Sequence, residues 1–193
     1  MPISINGTGT ITGISAGGLP DACVTAADLA SGAARTNFGA GCILQVAQGI
    51  EASVQNSLNS TTFADIPNIT ATITPTSTSN KILVMVSLYG GATSNCAVRL
   101  MRGSTPIAVN TNSPAGSRRV ASAGDFYANS QNTGCTISIT FLDSPATTSA
   151  TTYKMQYITT AGFPLCLNSN YSDADAAYVC RGISTITLME IAG

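Results

Sequence analysis

The sequence predicts an all-β chain: an antiparallel β-sandwich, jelly-roll-like, with an extended N-terminal arm. Three observations carry that expectation. Short runs of alternating apolar and hydroxyl-bearing residues recur from residue 41 to residue 191, separated by clusters of Gly, Pro, Ser and Asn. Only 9% of the 193 residues are charged, although 44% are hydrophobic. Ordinary soluble domains carry roughly 25% charge, so Ser, Thr, Asn and Gly must supply the polar surface here. No stretch keeps a helical period over the length of a packed helix.

Residues 1–40 differ from the remainder. Ile3-Ser-Ile-Asn-Gly-Thr-Gly-Thr-Ile-Thr-Gly-Ile14 reads as extended and glycine-punctuated, and Ala16-Gly-Gly-Leu-Pro20 breaks it. In Thr25-Ala-Ala-Asp-Leu-Ala30, Thr25 can cap a short helix, with Asp28 at its third position, and Gly32 can end it. The segment has too few large apolar side chains for a core of its own. It is expected to be an arm that orders on a partner, leaving residues 41–193 as the head domain.

The head reads as a series of short strands. Cys42-Ile-Leu-Gln-Val46 is the first. Ser60-Thr-Thr-Phe-Ala-Asp-Ile66 leads past Pro67 to Ile69, Ala71 and Ile73, which alternate with Thr70 and Thr72. The strongest strand is Lys81-Ile-Leu-Val-Met-Val-Ser-Leu88, bounded by turn signals at Thr76-Ser-Thr-Ser-Asn80 and Gly90-Gly91. Ile82, Val84, Val86 and Leu88 share one face; Leu83 and Met85 share the other. A strand apolar on both faces must be covered on both. A second sheet can cover one, and a sister subunit is expected on the other, with Leu83 and Met85 at the interface.

Ala97-Val-Arg-Leu-Met-Arg102 and Pro106-Ile-Ala-Val109 flank Gly103-Ser104, and a weaker pattern over residues 118–127 is interrupted by Gly124. Cys135, Ile137, Ile139 and Phe141 alternate with Thr136, Ser138 and Thr140; Tyr153, Met155 and Tyr157 alternate with Thr152, Lys154 and Gln156. Ile183-Ser-Thr-Ile-Thr-Leu-Met-Glu-Ile191 closes the chain and is expected beside the first strand. The expected core includes Ile82, Val84, Val86, Ile137, Ile139 and Phe141.

Composition argues against several functions. The chain has no histidine, hence no Ser-His-Asp triad, Cys-His pair or His-ligated metal. Its nine carboxylates are scattered and no acid/base pair stands out, so an enzyme is not expected. A net charge of -1 gives no electrostatic case for nucleic acid or acidic lipid. No cofactor motif is visible. Met1-Pro-Ile-Ser lacks the basic start and apolar run of a signal peptide, and no run approaches the roughly 20 apolar residues of a membrane helix.

The six cysteines include no CxxC pair, so zinc is not expected. Cys42, Cys96, Cys135, Cys166 and Cys180, which unlike Cys23 sit in or beside strand patterns, read as buried thiols or, for Cys166 and Cys180, as a disulfide closing a polar loop. That loop holds Asn168, Asn170, Asp173 and Asp175, which offer oxygen ligands but lack the glycine and closing Glu of a calcium loop. It reads as solvated, with no metal. Arg118 and Arg119 suit either solvent or an anionic glycan or neighbouring subunit. Tyr127, Tyr171 and Tyr178 are candidate sugar-stacking faces, whereas Tyr153 and Tyr157 follow the core alternation. The four Asn-X-Ser/Thr sequons are read as chance matches in a Thr- and Asn-rich chain.

Several motifs together resemble a known domain. They are Ile43-Leu-Gln-Val46, Thr61-Thr-Phe63, Ile73-Thr-Pro-Thr-Ser-Thr-Ser79 with Lys81-Ile-Leu-Val-Met-Val86, Arg99-Leu-Met-Arg-Gly-Ser104, Phe141-Leu-Asp-Ser-Pro-Ala146 with Tyr153, and Arg181-Gly-Ile-Ser-Thr-Ile-Thr-Leu-Met-Glu-Ile191. In this order they resemble a domain of virion proteins from aquatic bacteriophages, cyanophages among them. Gly17-Gly-Leu-Pro-Asp21 with Val24-Thr-Ala-Ala-Asp-Leu-Ala30 is similar to spacers in tail-fibre proteins. The resemblance implies a homotrimeric head somewhat like the tumour-necrosis-factor-type jelly roll. It implies a structural role in the virion, foremost as a short tail fibre or a fibre attached to the baseplate or tail. Residues 1–40 would dock on other virion proteins and the head would contact a host surface glycan or protein. Capsid decoration is the alternative. A carbohydrate-cleaving tailspike and a secreted binding module rank below both.

Overall fold

The computed structural model describes residues 40–111, 116–124, 126 and 131–193. The arm, its short helix and Cys23 therefore lie outside the described residues. What is described is all-β, with no helix among these residues. The strands are β1 (Ile43–Glu51), β2 (Gln55–Leu58), β3 (Ala64–Ile73), β4 (Lys81–Ala92), β5 (Ala97–Arg102), β6 (Thr105–Ile107), β7 (Ala123–Gly124), β8 (Cys135–Asp143), β9 (Thr151–Ile158), β10 (Leu165–Leu167) and β11 (Ser184–Ile191).

They pair antiparallel into two sheets. In the first, β1 pairs β11, β11 pairs β4 and β4 pairs β8. Beyond the end of β11, β10 takes over the same flank of β4, and β2 pairs β10 outside it. The sheet is thus four positions wide: β1 and β2 share one lane, β11 and β10 the next, followed by β4 and β8. The second sheet runs β3, β9, β5, β6, with β7 also on β5. β11 lies beside β1, the arrangement expected for this class of sandwich.

Alternation decides which side chains enter the space between the sheets. On β4, Ile82, Val84, Val86 and Leu88 are at most 3% exposed. Ile186 and Leu188 join them from β11, Ile66, Ile69, Ala71 and Ile73 from β3, Val98 and Leu100 from β5, and Tyr153, Met155 and Tyr157 from β9. Leu165 and Leu167 of the short β10 close one end. These apolar faces removed from water are the main favourable term in the fold.

Two glycine positions explain how the layers approach. A Cβ at Gly49 would lie 2.1 Å from the Thr70 carbonyl oxygen, so glycine lets β1 close against β3. A Cβ at Gly90 would lie 2.6 Å from the Cys166 carbonyl oxygen. Gly90-Gly91 is therefore not the turn it resembles in the sequence. The strand runs through it to Ala92, and the missing side chains admit β10 and the loop after it.

Of the six expected core residues, Ile82, Val84, Val86 and Ile139 are buried. Ile137 and Phe141 point inward and pack on the core but are only half-buried, because β8 is the last strand of its sheet. Phe141→Ala should therefore cost about 1–3 kcal/mol, less than the ~2–5 kcal/mol expected for Leu188→Ala in the sealed interior. Denaturant titration of the two variants checks the order.

Candidate functional site

The outward face of the first sheet is built by the same alternation that builds the core. On β4 it presents Leu83 and Met85. The register brings further apolar residues level with them. Val46 of β1 faces Met189 of β11, Met189 faces Leu83, and Leu83 faces Leu142 of β8. One apolar row thus crosses all four strands. Val46 is 58% exposed, Leu142 48% and Met85 43%. Ile43 and Ile50 of β1 add exposed apolar area on either side of the row. Around Met85 the neighbours turn to hydroxyls: Ser87, Ser138, Thr140, Thr185 and Thr187 line a shallow groove of about 190 Å³ with it. Lys81 is the single charge among the outward side chains of β1, β4, β8 and β11.

Sequence reasoning found Leu83 and Met85 but missed Val46, Met189 and Leu142. Each lay in a recognised stretch. What was missing was the pairing register, which alone shows that they stand in one row.

The sheets are cross-tied by buried acids. Asp143 on β8 accepts two bonds from the Arg102 guanidinium, at 2.8 and 2.9 Å, and one from the Tyr153 hydroxyl at 2.7 Å. Arg102 lies on β5 and Tyr153 on β9, so this acid joins the free flank of the first sheet to the second. Burial, and then the Asp143 carboxylate, push the Tyr153 phenol up.

Glu190 and Glu51 are buried and have no cationic partner among the described residues. Glu190 accepts from Asn80 Nδ2 at 2.6 Å, from the Thr76 backbone N–H at 2.6 Å, from the Thr76 hydroxyl at 2.8 Å, and from Gln45. Burial pushes its carboxyl up, but these four donors outweigh burial and hold it below the usual range. Glu51 accepts from Ser53, Asn68 and Gln55, and the Ser53 hydroxyl is the main cause of its lowered pKa, against burial. Both acids fasten loops to strands.

The loop after β10 is also internally braced. Asn168 is fully buried; its amide donates to the carbonyls of Glu51 and Ser53 at 2.8 Å each and accepts from Ser184. Arg181 binds Asp173 through two N–H groups, at 2.9 and 2.8 Å, and Ser169 adds a third donor. The Arg181 guanidinium, then Ser169, hold the Asp173 carboxyl well below the ordinary range. The Asn168 side-chain oxygen accepts from Ser184, the Asn170 oxygen from the Asp173 N–H, and the Asp173 carboxylate from Arg181, so three of the four candidate calcium ligands already have donors within the protein. No group of three or more His, Cys, Asp or Glu able to hold a metal occurs among the described residues.

The expected Cys166–Cys180 disulfide is not formed. Both are free thiols, Cys166 buried and Cys180 exposed. The Cys166 thiol turns instead toward the carbonyls of Asn56 and Tyr171, and burial, then Asp173, push its pKa up. Arg119 lines a cavity of about 540 Å³ with Asn95, Ala121 and Thr160. Its guanidinium donates to the carbonyls of Asn95 and Thr159 at 3.1 and 3.0 Å. Tyr153 and Tyr157 are core residues, Tyr178 is 67% exposed, and Tyr127 lies outside the described residues. No helix among the described residues is long and apolar enough to cross a membrane.

The acid Glu190 makes a pH prediction. Its folded pKa lies below that of an unfolded glutamate, about 4.3. The stability it adds is present above that value and is lost as pH falls through the folded pKa. Glu190→Gln should therefore lose stability at neutral pH but show a smaller further fall between about pH 5 and pH 3 than the unmodified protein. Urea midpoints across that range check it.

No protein-family model matches this chain, and no curated protein matches its sequence.

Proposed function

We propose that this chain is a structural subunit of a bacteriophage virion, foremost of a short tail fibre or a fibre attached to the baseplate or tail. In this reading its head domain assembles as a homotrimer through the outer face of the first sheet, and residues 1–40 attach it to other virion proteins. The observation that carries the self-assembly is the row Val46, Met189, Leu83, Leu142. An antiparallel sheet with a solvated outer face carries polar residues there. Here four strands present apolar ones, and a single charge stands nearby. A contiguous patch of this kind marks an interaction surface, and closed symmetry covers it with one repeated contact. The count of three and the virion setting come from the motif resemblance. Contact of the head with a host surface glycan or protein belongs to the same reading.

Two experiments test it. Leu83→Lys or Met85→Lys should convert the assembly to monomers in light scattering while circular dichroism stays unchanged. A monomeric unmodified protein would remove the self-assembly, and a dimer would remove the count. Antibodies against residues 41–193, viewed on intact phage particles by electron microscopy, should label the tail. Labelling of the capsid would make this a decoration protein, and a purified particle without label would overturn the virion reading.

A further inference from the structure

Both sheets end in strands with unpaired backbone groups, and such edges recruit other strands unless they are protected. Most edges here carry a protecting device. β3 contains Pro67, a positive-φ Asn68 and a register shift between Asp65 and Thr70. β6 is three residues long and includes Pro106, β7 is two residues long and β2 four. β1 has a register shift between Ile43 and Gln45, and its Gly49 closes against β3.

β8 has none of these. It runs nine residues in unbroken register against β4, with no proline and no charge before Asp143. Among the described residues it pairs on that side only. Its inward Ile137 and Phe141 are only half-buried, whereas Val84, Val86 and Leu88 on the neighbouring β4 are at most 3% exposed. Among the described residues, the core is only partly covered along this edge.

We propose that the edge of β8 pairs antiparallel with β8 of a second copy, about a two-fold axis through Ile139. The sequence is complementary to itself in that register. Ile139 meets its own copy and Ile137 meets Phe141, both on the inner face. Ser138 meets Thr140 and Thr136 meets Leu142, on the outer face. Each backbone group on the edge gains a partner, and the half-buried Ile137 and Phe141 gain an apolar neighbour. A register displaced by one residue would set inward apolar residues opposite outward hydroxyls. The contact uses an edge, not the sheet face assigned to self-assembly above, and does not depend on the virion reading.

Two variants that differ at one position test it. In Ser138→Lys with Thr140→Lys, like charges face each other twice across the axis. In Ser138→Lys with Thr140→Glu, each Lys faces a Glu. Both positions are exposed, so both variants fold, and circular dichroism checks it. Both variants are made in the Leu83→Lys background, which removes the sheet-face contact, so a difference in mass reports the edge alone. The Lys/Glu variant is expected to show twice the mass of the Lys/Lys variant in light scattering. Equal masses or the reverse order would overturn the proposal. In the unmodified protein, amides of residues 136–142 that face the edge should exchange more slowly at high protein concentration than on dilution. Exchange independent of concentration would also overturn it.

Discussion

The fold depends on β4 having both flanks filled. β11 and then β10 occupy one side, and β8 the other from Ile82 to Gly90. Because side chains alternate with a period of two, that register fixes which residues enter the core on three neighbouring strands at once. A slip of one residue would turn Ile82, Val84, Val86 and Leu88 outward and bring Leu83, Met85 and Lys81 inward. The second sheet is then placed by the shape of this face, with Gly49 setting how closely β3 can come.

Three buried acids fasten this frame at its weak points. Asp143 ties the last strand of one sheet to two strands of the other. Glu190 holds the connection between β3 and β4, through Thr76 and Asn80, to the end of β11. Glu51 holds the bend between β1 and β2 to Asn68 of β3. A buried carboxylate loses hydration, and hydrogen bonds from neutral donors must offset that loss. Both glutamates have such donors, and their lowered pKa values indicate that the donors outweigh burial. Removing one donor would leave a buried charge short of partners, so these networks favour one arrangement of the loops over others.

The strands legible in the sequence were those whose alternation is long. The strands around Ile137 and Met155 are legible because polar and apolar residues change places at every step, whereas β5 is legible only as a short apolar run broken by Arg99 and Arg102. β2 was missed because Gln55, Asn56 and Ser57 carry no apolar signal, and it exists through its pairing with β10. β10 was missed because three residues are too short to show a period. Gly90-Gly91 was read as a turn because a sequence does not distinguish a bend from a close approach. Cys166 and Cys180 flank a loop, as supposed, but the bracing of that loop by Asn168 and by the Arg181–Asp173 pair supplies what a disulfide would have supplied. For the candidate site, the apolar outward face of β4 was legible, and its continuation across four strands required the register.

A surface with few charges constrains how copies can recognise one another. Electrostatic complementarity normally sets orientation and discourages wrong partners. With Lys81 the single charge on the outer sheet face, orientation there must come from the shape of an apolar row set among hydroxyls. Such a row supplies area to bury, but it tolerates sliding, because one apolar neighbour replaces another at little cost. An edge strand has the opposite character. It buries less area, yet its hydrogen bonds are directional and admit a register only in steps, with the alternation of Ile and Ser or Thr along β8 rejecting odd ones. In a chain this poor in charge, the two proposed contacts would divide what charged residues do elsewhere: the face would supply attraction and the edge alignment.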